Sequence, residues 1–210
     1  MVRFLAWHRR TRFHFSKSAR SEVLHAVSLL RETRGSALLE FAVALPLLVV
    51  FIVGIYDFSG AFNQKQKIEQ AAQEGAIIAG AQPMSDIAVG NANPDSLQPV
   101  VTAIFYSLAG SGVLPSAGSS CTFPPAAPTQ AGLAWTYKIV GCSGDPTDQA
   151  VITINRGWVA AGPPAALGTT VLVSYPYHWR FNTAIQLLFP GANFAAITQL
   201  TESATVHNQL

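Results

Sequence analysis

One carboxylate stands out by its surroundings. Glu40 interrupts a run from Ser36 to Tyr56 that is otherwise apolar. An acid at the middle of a bilayer costs up to about 3 kcal/mol, and less near an end. Glu40 lies five residues past Gly35. There it either reaches the headgroups or needs a cationic partner. A cut between Gly35 and Ser36 creates such a cation, because the new amino group on Ser36 can pair with Glu40 of a neighbouring helix. That is the chemistry of a protein that is acted upon. Nothing points to a protein that acts on a substrate: there is no Gly-x-Ser-x-Gly elbow, phosphate loop, His-Glu-x-x-His or paired catalytic carboxylate signature. The reading is therefore not an enzyme, with no cofactor.

The remaining reactive side chains are few. Cys121 and Cys142 are the chain's two cysteines. They form either one disulfide in an oxidising space or two buried thiols. A disulfide closing a loop of about 20 residues stabilises by about 3 kcal/mol on the chain-entropy model. Two cysteines with no His at ligand spacing do not make a zinc site, so no metal is expected. His178 and His207 read as solvated or strand-edge histidines. Tyr175, Tyr177, Trp179 and Phe181 cluster around Pro176 as a core plug or a contact surface, with sheet packing the expectation.

The element that positions Glu40 is the apolar run itself. At about 1.5 Å per residue, roughly 20 residues cross a bilayer as a helix. Eight Lys/Arg against Glu22 and Glu32 give residues 1–35 a charge of +6, while the whole chain carries only +2. A basic segment beside a membrane helix marks the cytoplasmic side. That accounts for the basic patch without a nucleic-acid partner. The run is too long for a signal peptide's apolar region, and Ser59-Gly60-Ala61 is at best a weak cleavage site. Pro46 removes one backbone hydrogen bond and is expected to bend the helix. Asp57 is expected at the outer membrane edge, with Tyr56 at interfacial depth.

The helical pattern continues beyond that edge, with apolar positions at spacings of three and four until Pro83. One helix of about 45 residues is expected, membrane-embedded in its first half and amphipathic in its second. Ala71, Gly75 and Ala79 form one small-residue row, and Ala72, Ala76 and Gly80 another. Such rows admit a close backbone, either the protein's own domain or a partner helix. The domain boundaries expected are a basic leader at 1–35, a transmembrane helix at 36–56, its amphipathic continuation at 57–82 and an extracytoplasmic domain at 83–210. Val23 to Leu30 reads as a surface amphipathic helix or part of a disordered leader. In the outer domain a helix is expected from about Ser96 to Leu108. Strands are expected at Trp135–Val140, Ala150–Trp158, Thr169–Pro176 and Ala196–Val206, and a short helix over Phe181–Phe189. The fold class is α+β: a long N-terminal helix with a small antiparallel β-sheet domain of four strands on its amphipathic half, pilin-like in outline.

Gly35-Ser36-Ala37-Leu38-Leu39-Glu40-Phe41 resembles the type IV prepilin signature. The longer set Arg34–Ala42, Leu45-Pro46, Gly54–Phe58 and Gln70–Ala76 is similar to the TadE-like (TadE/TadG) pseudopilins of tight-adherence, or Flp, pilus systems. The strong likeness covers about residues 34–80, and Leu200–Val206 resembles the family's closing strand. The resemblance implies a single-pass protein of the bacterial inner membrane, N-terminus cytoplasmic and C-terminal domain periplasmic. A prepilin peptidase would cut it between Gly35 and Ser36. Glu40 would then be the assembly and processing acid and Phe41 the aromatic beside it. Other pilins and pilus-assembly proteins would be partners through the N-terminal helix, with adherence and biofilm formation as the outcome. Major Flp pilins are far shorter and usually carry Tyr where Phe41 stands, which argues for a minor pilin or assembly component. The alternative from a different class is a signal-anchored periplasmic enzyme or sensor.

Overall fold

The structure is a computed structural model and describes residues 33–114, 121–142, 148–160, 166–181, 185–186, 191 and 197–209. The basic leader, its Val23–Leu30 stretch, Gly162-Pro163-Pro164 and most of the short helix expected over Phe181–Phe189 lie outside the described residues. The chain divides into two compact units, Met1–Val49 and Val50–Leu210.

A single helix, α1, runs over Thr33–Ala81 and contains Pro46. It stops two residues short of Pro83, as the steric block on the residue before a proline requires. In the first unit, every described side chain from Gly35 to Val49 is exposed except the half-buried Pro46. Leu38, Leu39, Phe41, Val43 and Leu47 all point outward. A helix apolar on all sides and covered by no protein has the character of a membrane span. Among the described residues it is the one helix long and apolar enough to cross a membrane.

In the second unit the same helix acquires an inner stripe. Gly54, Asp57, Ala61, Ile68, Ala71, Ala72, Gly75, Ala76 and Ala79 are buried, with half-buried Gln64 filling the gap. The spacing of three and four keeps them on one helix face. Leu97 ends a 3-10 turn, Asp95–Leu97, that leads into helix α2, Gln98–Gly110. α2 contributes Val100, Val101, Ile104, Phe105 and Leu108 to the same core. A Cβ on Gly75 would stand 2.5 Å from the Ile104 side chain and 3.5 Å from Val171. Both small-residue rows are thus consumed by the protein's own domain rather than kept for a partner helix.

The sheet is a five-stranded antiparallel meander of β1 (Thr129–Ala131), β2 (Ala134–Val140), β3 (Gln149–Ala160), β4 (Ala166–His178) and β5 (Ile197–His207). Four strands were expected; β1, three residues long, is the addition. Side-chain alternation sends Trp135, Tyr137, Ile139, Ile152, Ile154, Val171 and Val173 into the core. The other face carries hydroxyls that pair across the register, Thr136 with Thr153 and Thr170 with Thr205. Lys65 of α1 reaches Glu202 of β5 at 3.0 Å. Cys121 and Cys142 are joined in a disulfide, and the Thr122 N–H donates to Val140 O beside it.

The alternation of β3 also buries Arg156, fully. Asn155 pairs with Thr170 but Trp158 with Gly168, so β3 carries one extra residue there, a β-bulge. The guanidinium donates to the carbonyls of Ala79, Gln82 and Pro83 at the end of α1. The last turn of α1 has no basic residue of its own. Arg156 therefore supplies, from another strand, the cation that the unsatisfied carbonyls and the helix dipole favour. Burial pulls its pKa down, and the Asp86 carboxylate opposes this. Asp86 itself is pushed up by burial, but the Ser96 N–H bond and the Arg156 charge leave it below the usual range.

Arg156→Met keeps the side-chain bulk but removes the donor to the Ala79, Gln82 and Pro83 carbonyls. We expect a loss of about 3 kcal/mol in unfolding free energy, measured by denaturant titration of the full chain in detergent micelles. Tyr137 supplies a second expectation. Its hydroxyl has no partner among the described residues, and burial, then the Asp86 charge, pushes its pKa up to about 12. An unfolded chain loses this proton near pH 10, whereas the folded chain retains it. The unfolded state then binds fewer protons, so stability falls as pH rises from about 10 towards 12. Tyr137→Phe should leave neutral stability equal or higher and flatten that alkaline fall, read from denaturation midpoints at about pH 8 and about pH 11.

Candidate functional site

The head of α1 holds the four residues singled out for processing and assembly. Gly35 has no heavy atom within 4 Å of where a Cβ would stand, apart from the helix's own backbone and its chain neighbours. Ser36 Oγ donates to Glu40 Oε1 at 3.1 Å, both exposed. This is the i, i+4 pairing of a helix surface. Phe41 is exposed beside them. The Gly35–Ser36 peptide lies in the first turn, where the N–H groups have no intrahelical partner and the helix frays most readily. The structure thus places Gly35, Ser36, Glu40 and Phe41 on one accessible helix end. Pro46 lies further along it, and Cys121 and Cys142 belong to the other unit.

A second cluster lies on the other unit, where β4 meets α1. Asp57, expected at the outer membrane edge, is 1% exposed. Its Oδ1 accepts from the Tyr177 hydroxyl at 3.2 Å, and its Oδ2 from the Phe181 N–H at 2.5 Å. The Tyr177 hydroxyl also lies 2.9 Å from the Asp57 carbonyl. Burial, then the Asp57 charge, raises the Tyr177 pKa. Gly60 makes this approach possible: a Cβ there would stand 2.7 Å from the Tyr177 hydroxyl. Gln64 Nε2 donates to Pro176 O at 3.4 Å, one turn further on. His178, exposed at the end of β4, meets Asp148 Oδ2 at 2.8 Å.

The aromatic cluster around Pro176 divides by depth. Tyr175 belongs to the core. Trp179 packs edge-on against Phe58, with ring centroids 5.1 Å apart, and against Tyr177 at 5.0 Å. Its Nε1 donates to Thr198 Oγ1. Two residues were missed by reading the sequence: Asp57 as a receiver of hydrogen bonds, and Arg156 as a cap. For Arg156 a signal was present, because it shares its parity with Ile152 and Ile154 on the apolar face of β3. For Asp57 the signal was its place in the buried row between Gly54 and Ala61.

Replacing Asp57 by Ala removes the acceptor of the Phe181 N–H and the side-chain acceptor of the Tyr177 hydroxyl, which keeps the Asp57 carbonyl. A destabilisation of about 1–3 kcal/mol is expected, with a smaller one for Asp57→Asn, measured as thermal midpoints of the micelle-bound chain.

No curated protein and no solved structure matches the chain. Residues 35–76, a fifth of the chain and all within α1, fit the family model described as TadE-like protein.

Proposed function

We propose that the protein is a pseudopilin, or minor pilin, of a tight-adherence pilus. It is anchored in the inner membrane through residues 36–56, with the basic leader in the cytoplasm and the sheet domain in the periplasm. A prepilin peptidase removes residues 1–35. The freed Ser36 amino group and the Glu40 carboxylate of adjacent subunits then pair as helices pack. One observation carries the reading. The spacing Gly35-Ser36-x-x-x-Glu40-Phe41 heads an apolar helical segment whose described side chains to Val49 are exposed save Pro46, and the TadE-like match begins at Gly35.

The physical logic is that of delayed insertion cost. While the chain stays in the membrane, Glu40 lies near the cytoplasmic interface, where an acid is tolerable. Moving the helix into a filament would bury that carboxylate among other helices. A buried charge persists only with a partner, and the new amino terminus is the cation this chain supplies. The disulfide between Cys121 and Cys142 suits a domain on the oxidising side. The length of the chain, and Phe41 where major Flp pilins usually carry Tyr, favour a minor or assembly role.

Mass spectrometry of membranes containing an active prepilin peptidase should find the chain beginning at Ser36. An intact Met1 there would exclude processing. Glu40→Ala should abolish surface piliation and adherence while the protein remains in the membrane; unaffected piliation sinks the assembly role.

A further inference from the structure

The end of β4 meets α1 inside the apolar run rather than beyond it. That run closes at Tyr56. Yet a ring carbon of Phe181 lies 3.3 Å from where a Cβ would stand on Gly54. At 1.5 Å per residue, Gly54 is about 3 Å inside the end of the run. Trp179 rests on Phe58, two residues past it. The exposed apolar stripe of α1 also continues outward, with Phe58 66% and Phe62 62% exposed. The domain therefore reaches down to a depth where α1 still presents bare hydrocarbon.

The sequence of that segment, Tyr177-His178-Trp179-Arg180-Phe181, suits a membrane interface. Trp and Tyr concentrate at headgroup level, where one end of the ring is wet and the other apolar. Arg180 is exposed beside them and can extend to a lipid phosphate. Backbone N–H groups are costly to leave unpaired where water is scarce. The Phe181 N–H is held by the Asp57 carboxylate. Burying an acid at that level makes sense once it has two donors to receive.

We propose that residues 177–181 form a shallow foot seated in the outer headgroup layer of the membrane, the phospholipid bilayer itself being the partner. The foot fixes the domain's height above the membrane, independently of any pilus partner. This rests on the proposed anchoring of residues 36–56 and adds a second contact to it.

The test is tryptophan quenching in the full-length chain carrying Trp7→Phe, reconstituted into phosphatidylethanolamine–phosphatidylglycerol vesicles. Some of the lipid is brominated just below the headgroup. We expect clear quenching, most of it lost in Trp179→Phe and retained in Trp158→Phe, because Trp158 lies by Gly168 and His207 near the other end of the domain-packed helix. Quenching that Trp179→Phe leaves unchanged, in a chain that still floats with the vesicles, overturns the foot alone. A chain that does not float with the vesicles overturns the anchor and the foot together. A nitroxide on Arg180→Cys gives a reading that does not depend on the tryptophan variants. A ratio of oxygen to nickel-chelate accessibility higher than that of a nitroxide on Val89→Cys, exposed beyond the far end of α1, is expected, and an equal ratio overturns the proposal.

Discussion

The guanidinium of Arg156 holds the domain together at its most exacting point. A helix ends in carbonyls without intrahelical partners, and this helix has no basic residue in its own last turn. The bulge in β3 turns an inward-facing arginine onto those carbonyls. Asp86 balances the charge nearby and is itself tied to the Ser96 N–H at the entry to α2. One side chain thus links the sheet, the helix end and the connection that leads to the second helix.

Asp57 does the converse at the other end of the packed stretch. Arg156 donates to the helix end; Asp57 accepts from the strand end. The two points are 22 residues apart on α1, about 33 Å at helical rise. Between them the contact is made of small residues, Ala71, Ala72, Gly75 and Ala76, which allow the helix to lie close against Ile104 and Val171. Polar fixation at two ends and close apolar contact in the middle define both the height and the rotation of the helix against its sheet.

Much of this was legible beforehand. Periodicity carried the long helix to within a residue or two of its end, because Pro83 is an unambiguous stop. β-branched alternation located β2 to β5. β1 escaped notice because Thr129-Gln130-Ala131 is too short to alternate and sits in a stretch rich in glycine and proline. The small-residue rows left two readings open, and only tertiary packing chose between them. Asp57 and Arg156 were seen as charges and counted as such. Their roles depend on partners 120 and 77 residues away, and no local pattern encodes a partner at that distance. The head of α1 is the reverse case: its reading rests on local spacing alone, from Gly35 to Phe41.

The meander has a further consequence for the order of assembly. Each strand pairs with its immediate neighbour in sequence, so the sheet can close hairpin by hairpin. The helix cannot complete its contacts in that way. Its far end waits for Arg156, and the faces along Lys65 and Gly80 wait for Glu202 and Val206 of β5. A chain emerging N-terminus first therefore presents its helix long before the last strand arrives to cover it. During that interval the small-residue stripe is bare and adhesive. Until β5 is made, the faces of the helix at Lys65 and Gly80 lack the residues that cover them in the folded protein.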